Sequence, residues 1–280
     1  MDSNALQIIF DTPLFLMRRQ RALEKSKAAT KNPWFLHEFA ISGLIETINT
    51  IKPNFENALE LFSNLNQFRK MALAEGVLGE NGKIKSLFEF EPAIAFENDK
   101  KINCITEIED LPLEANKFDL IISNSGLNWV NDLPGILYKI RTSLRPNGNL
   151  IATFLGGQTL TELRQCFLDV ESEVFGGVSP RINPMIDAES GVRLLSRAGF
   201  SSPVSSIESL NVRYDNVFGL FRDIKAMGEA ACFAYKGSKP LNRHLIAKVA
   251  DLYQERHMDE DGRIRATFEL ITLSGWTENK

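Results

Sequence analysis

Between Asn57 and Phe154 five short apolar runs alternate with stretches of helical periodicity, and that alternation leaves few folds open to the chain. The runs are Ala58-Leu59-Glu60-Leu61-Phe62, Lys85-Ser86-Leu87-Phe88, Ile102-Asn103-Cys104-Ile105, Phe118 to Ser123, and Gly148 to Phe154. Leu65 to Ala74 and Leu133 to Leu144 carry the helical spacing. Apolar strands separated by helices are the pattern of βαβ units, whose parallel sheet is covered on both faces. The expectation is an α/β fold built on a doubly wound, mostly parallel sheet. Such sheets hold ligands outside the carboxyl ends of their strands, where strand order reverses. The segments that follow each run are therefore the candidate site.

Two helices are expected before the sheet. Residues 1–31 place Arg18, Arg19, Arg21, Lys25, Lys27 and Lys31 among Leu and Ala, a basic amphipathic helix whose charges read as a solvated face of a helix packed across the domain edge, with a docking surface for an acidic partner or lipid as the alternative. Phe35, Phe39, Leu44 and Ile48 give a second apolar stripe, closed by Lys52-Pro53. This divides the chain into an N-terminal helical segment, 1–53, and an α/β domain, 54–280. Beyond the fifth run, Leu160 to Val170 and Ala188 to Ala198 read as helices, Val204 to Tyr214 alternates, Phe218 to Met227 and Leu241 to Arg256 are helical, and Ile264 to Trp276 closes the sheet. The carboxyl end is thus elaborated with extra helices.

Charge and cysteine content narrow the function classes. Against 36 Asp+Glu stand 32 Lys+Arg, a net charge of −4 that offers no field for nucleic-acid phosphates, so no nucleic-acid partner is expected. Cys104, Cys166 and Cys232 lie far apart with no C-x-x-C pair, which argues against a zinc knuckle or a disulfide framework, and no metal site is expected. No apolar run approaches the roughly 20 residues that cross a bilayer. The amino end lacks an apolar core with a small-residue cleavage site, so a cytoplasmic location is expected.

The segment Phe118-Asp119-Leu120-Ile121-Ile122-Ser123-Asn124-Ser125-Gly126-Leu127-Asn128-Trp129-Val130 is a strand opening into a polar turn with a tryptophan. With Leu111-Pro112-Leu113 before it and Leu144-Arg145-Pro146-Asn147-Gly148 after it, the chain resembles the class I S-adenosylmethionine (SAM) methyltransferases. Val130-Asn131-Asp132-Leu133, Gly156-Gly157-Gln158-Thr159-Leu160 and Met227-Gly228-Glu229 narrow the likeness. It is similar to the mitochondrial complex I assembly factor five group, and more distantly to the malonyl-carrier-protein methyltransferase of biotin synthesis. The resemblance runs from Phe10-Asp11 to Trp276. It implies a SAM-binding fold of the class I methyltransferase type. In the assembly-factor group it also implies hydroxylation of an arginine on a partner protein, the iron–sulfur subunit of respiratory complex I.

The resemblance also implies the cofactor site. An acidic residue and a G-x-G-x-G turn follow the first strand of the superfamily, and here Glu60 is followed by Phe62, Asn64 and Asn66 in the glycine slots. Glycine stands in such a turn because the ligand touches bare backbone and a positive φ costs it nothing. The β-carbon and ring of Phe62 fall where the amino-acid end of SAM would lie, so weak or lost SAM binding is expected. Glu89 or Glu91 matches the acidic residue that accepts from both ribose hydroxyls, Glu107 the partner of the adenine amino group, and Ile108 a residue packing on the base. Asn124, Gly126 and Trp129 complete the cofactor set. No catalytic residue is nominated: His37, His244 and His257 read as structural or surface histidines, and Asp259-Glu260-Asp261-Gly262 reads as a tight turn, because a calcium loop would need a Glu where Phe268 stands. Two functions are open, an assembly-factor-like protein serving a protein partner and an active SAM-dependent methyltransferase of a small or carrier-bound acid.

Overall fold

The computed structural model describes residues 8–27, 34–62, 66–92, 102–104, 108–235, 237 and 239–278. Helices α1 (Thr12–Lys27) and α2 (Phe35–Thr50) precede β1 (Phe55–Leu61), α3 (Gln67–Ala74), β2 (Ile84–Glu91), β3 (Ile102–Cys104) and β4 (Phe118–Asn124). A 3-10 turn over Gly126–Trp129 leads to α4 (Leu133–Ser143) and β5 (Leu144–Leu155). The chain continues through α5 (Thr161–Phe175), α6 (Ala188–Ala198), β6 (Ser201–Tyr214), α7 (Val217–Ala226), α8 (Arg243–His257) and β7 (Ile264–Trp276).

The strands form a seven-stranded sheet in the order β3-β2-β1-β4-β5-β7-β6. β1 pairs in parallel with β2 and β4, β2 with β3, and β4 with β5, whereas β7 is antiparallel to both β5 and β6. One strand of seven is therefore reversed. The order turns around at β1 and β4, which makes their carboxyl ends the switch point.

Successive residues of the central strands go to opposite layers, as the pleat requires. Ala58, Leu120, Ile122 and Ile151 pack with Ile41, Leu44 and Ile48 of α2 and Phe68 of α3. Leu59, Leu61, Ile121, Leu150 and Ala152 face the other way, against Ile136 and Ile140 of α4, Leu195 of α6, and Phe10 and Phe15 at the start of the described chain. A third cluster joins Leu163 and Phe167 of α5, Leu220 of α7, Val249 and Tyr253 of α8, and Phe268 of β7. Asp132, Asp187, Asn216 and Asn242 cap α4, α6, α7 and α8 by accepting backbone N–H groups of the first turn. Among the described residues no helix is long and apolar enough to cross a membrane.

Three local expectations change. β5 begins at Leu144, four residues ahead of the expected Gly148. Leu144 pairs with Phe118, the register shifts before Leu120, and Asn147 takes a φ of 62°, so the Arg-Pro-Asn-Gly stretch is an irregularity inside the strand. Phe39, placed on the apolar stripe of the second helix, is exposed, while Leu36, Ala40, Ile41 and Ile45 form the buried face. The basic face of α1 is not wholly solvated: Arg19 is buried, with only 4% of its surface exposed.

Candidate nucleoside cleft at the strand switch

The carboxyl ends of β1, β2 and β4 converge on Glu60, Phe62, Glu89, Glu91, Asn124 and Gly126, all of them positions that sequence reasoning singles out. Asn64 and Glu107 lie outside the described residues. Phe62 follows β1 with its N–H donated to the Phe90 carbonyl at 2.7 Å, which ties it beside β2. Its φ is 67°, a left-handed conformation that a bulky residue rarely adopts. The side chain is fully buried, and its ring lies so close to Gly126 that any β-carbon at position 126 would overlap it. Glycine at 126 is thus explained by the close approach of Phe62.

The carboxylates beside the ring are engaged by arginines of this chain. Arg19 reaches in from α1 and grips Glu91 with both arms, Nε to Oε1 at 2.5 Å and Nη2 to Oε2 at 3.0 Å. Its guanidinium also lies 6.0 Å from the centre of the Phe62 ring. Arg69 of α3 donates from Nε to Glu89 Oε2 at 2.5 Å and from Nη2 to the Leu87 carbonyl at 2.6 Å. The fork geometry of a guanidinium matches a carboxylate as two vicinal hydroxyls would, so each arginine takes acceptor sites a ribose would need.

Glu60 sits between these pairs. Burial, reinforced by the like charges of Glu89 and Glu91, holds its pKa well above the usual carboxylate range, with Arg69 and Arg19 opposing. Its Oε2 is buried with no hydrogen-bond partner among the described residues. A raised carboxyl pKa means that the folded chain binds the proton more tightly than the unfolded one. Stability therefore falls as pH rises from the ordinary glutamate range through the raised value. Glu60→Gln, which cannot ionise, is expected to melt higher than the unaltered chain at pH 8, by about 2–4 °C for each kcal/mol recovered, and to lose that advantage toward pH 4. Scanning calorimetry at the two pH values checks this, and an equal difference at both would contradict it.

The remaining predicted residues are absorbed by the protein. Trp129 stacks on Phe15 at 4.8 Å and meets Phe10 edge-on at 5.6 Å. Ile108 is buried in the same apolar cluster. Asn124 donates from Nδ2 to the His37 carbonyl at 3.1 Å and accepts from Thr153 Oγ1 at 2.9 Å. The turn at Asp259 to Gly262 is held by arginines, with Arg213 donating to Asp259 and Asp261 and Arg265 to Asp259. Among the described residues no group of three His, Cys, Asp or Glu is placed to hold a metal.

Sequence reasoning missed what holds α1 beside these strand ends. Residues 9–11 run beside 232–234: Ala234 N–H donates to the Ile9 carbonyl and Asp11 N–H to the Cys232 carbonyl, each at 2.9 Å. Asn131 Oδ1 accepts from both Ile9 and Phe10 N–H at 2.8 Å. These bonds set α1 over the strand ends and aim Arg19 inward. His37, read as structural or surface, is buried with Nε2 3.3 Å from Glu229 Oε1. Partners 72 and 192 residues away in sequence leave no local signal to find them by. With a buried ring against Gly126 and guanidinium groups on Glu89 and Glu91, the described residues do not fit a nucleoside-methionine cofactor lodged against this turn.

The family model described as "Methyltransferase domain" matches residues 91–152. The human protein named "Arginine-hydroxylase NDUFAF5, mitochondrial" is 33% identical over 251 residues, covering 86% of this chain and 70% of its own length. The mouse protein of the same name is 38% identical over 175 residues, covering 62% of this chain and 51% of its own. The chain thus spans about half the length of some curated relatives. A "Malonyl-[acyl-carrier protein] O-methyltransferase" of Gallionella capsiferriformans is 30% identical over 177 residues, 63% of this chain and 58% of its own. Among solved structures, a putative methyltransferase of Bacillus halodurans superposes with a TM-score of 0.54 at 11% identity, covering 85% of this chain and 98% of that one, which shows the fold alone.

Proposed function

This chain belongs to the family of the NDUFAF5 arginine hydroxylases, on a methyltransferase fold, and we propose on that premise that it serves a protein partner while its own side chains close the nucleoside cleft. SAM is bound weakly or not at all. The observation that carries this is the Phe62 ring packed on Gly126 with Arg19 seated on Glu91 beside it. The relatives' name, arginine hydroxylase, supplies the substrate class, an arginine side chain. The motif resemblance supplies the partner, an iron–sulfur subunit of respiratory complex I. A methyltransferase needs open volume where the sulfonium donor meets its acceptor, since the rate rests on positioning the two. A partner-binding protein has no such need.

The relatives named malonyl-carrier-protein methyltransferases, with carboxylates kept at the ends of β1 and β2, favour the second reading, an active methyltransferase of a carrier-bound acid. Affinity capture of the tagged full chain from its native cells separates the two. Respiratory complex I subunits in the eluate, one with an arginine carrying an added oxygen that disappears when the gene is deleted, are expected. Acyl carrier protein in their place would overturn the reading.

A further inference from the structure

A cavity of about 320 Å³ lies among α2, α5, α7 and β7, walled by Leu36, Leu163, Phe167, Phe221, Ile224 and Phe268. That volume falls within the roughly 300–1,000 Å³ of small-molecule sites. Its walls are apolar, yet cationic residues stand around it: Arg18, Arg181 and Lys225. Arg181 is matched by Glu171, which accepts from its Nε at 2.7 Å. Glu229, also on the wall, faces His37 Nε2.

Arg18 and Lys225 are not matched in this way. Arg18 donates from Nη1 to the Ala230 carbonyl at 3.2 Å, to the Ala231 carbonyl, and to Cys232 Sγ at 3.4 Å. These bonds fix the guanidinium at the cavity, and among the described residues nothing accepts from its Nε or Nη2. No described carboxylate pairs with Lys225, which is exposed on α7. Arg18 is half-buried, and the donors of its guanidinium that meet no protein acceptor are able to make charge-assisted hydrogen bonds to an anionic head whose tail lies among the apolar walls.

We propose that this cavity binds a single-chain amphiphile with an anionic head, its aliphatic chain among Leu163, Phe167 and Phe268 and its carboxylate between Arg18 and Lys225. One chain fills the volume, and the head takes the donors that the fold leaves unused.

Calorimetric titration of the full chain with decanoate, and with decan-1-ol as the uncharged counterpart, tests this. Saturable one-site binding of decanoate, with decan-1-ol weaker by tenfold or more, is expected from one or two charge-assisted hydrogen bonds. Arg18→Gln and Lys225→Gln should each weaken decanoate by roughly tenfold and leave decan-1-ol unchanged. Lys225 lies on the surface, so its variant reports even if loss of the Arg18 clamp impairs folding. Met185→Trp, which adds bulk to the cavity wall, should weaken both ligands. The proposal is overturned by no decanoate binding, by equal affinity for acid and alcohol, or by unchanged affinity in Lys225→Gln. It is also overturned if the chain sediments with phosphatidylglycerol vesicles but shows no saturable binding of free decanoate.

Discussion

Replacing Arg19 by methionine is expected to destabilise the chain by about 3–5 kcal/mol, which at this size lowers Tm by of order 10 °C. Arg19 is 4% exposed and Glu91 fully buried, and the guanidinium holds both oxygens of that carboxylate. Methionine keeps much of the side-chain volume and removes the charge. Glu91 is then left beside Glu60 and Glu89 without its fork. Removing one member of a buried pair costs more than the pair contributes, because the other charge stays desolvated. Arg19→Met with Glu91→Leu should accordingly recover most of the loss, since an apolar replacement of both members is often neutral or stabilising. Denaturation of the single and double variants reads this directly. A double variant as unstable as Arg19→Met would mean that α1 is held by something other than this charge pair.

Phe62→Gly acts on the same place from the other side. Truncating a fully buried phenylalanine costs about 3–5 kcal/mol. The left-handed φ of 67° offsets about 1–2 kcal/mol of that, because glycine adopts this conformation without strain. A net loss of about 1–4 kcal/mol is expected, together with a void against Gly126. The gain should appear in ligand response. With Asn64→Gly alongside, millimolar SAM should raise Tm of the variant, since a ligand that binds only the folded state stabilises it in proportion to the logarithm of its saturation. The unaltered chain should not respond. If both melt at the same temperature with and without SAM, the ring is not what bars the cofactor.

Much of the architecture was legible in the chain because parallel strands buried on both faces must be nearly all apolar, as Leu120 to Ile122 and Leu150 to Ala152 are. The closing strand and the elaborated end followed from the alternation of Ile264 to Trp276 and the helical spacing before it, whereas the reversal of that strand shows only in its antiparallel pairing with β5 and β6. The start of β5 was not legible, because Pro146 and Gly148 read as loop, and only the pairing of Leu144 with Phe118 carries the strand through them. Phe62 could be placed from its position after Glu60 at the end of the first run. Its contact with Gly126, 64 residues later, depends on β1 lying next to β4. Arg19 was hidden for a stronger reason. Its neighbours Arg18, Arg21 and Lys25 give the ordinary look of a solvated helix face, and burial becomes favourable only through Glu91 on another element. Local pattern reports local structure, whereas the contacts of Phe62 with Gly126 and of Arg19 with Glu91 join residues far apart in sequence.

Calorimetric titration of SAM into the full, unaltered chain tests the closed cleft most directly. No heat, or an affinity no tighter than millimolar, is the expected result. A saturable, one-to-one isotherm with micromolar affinity would contradict it, because the proposed closure by Phe62 and Arg19 requires that the methionine tail find no room there.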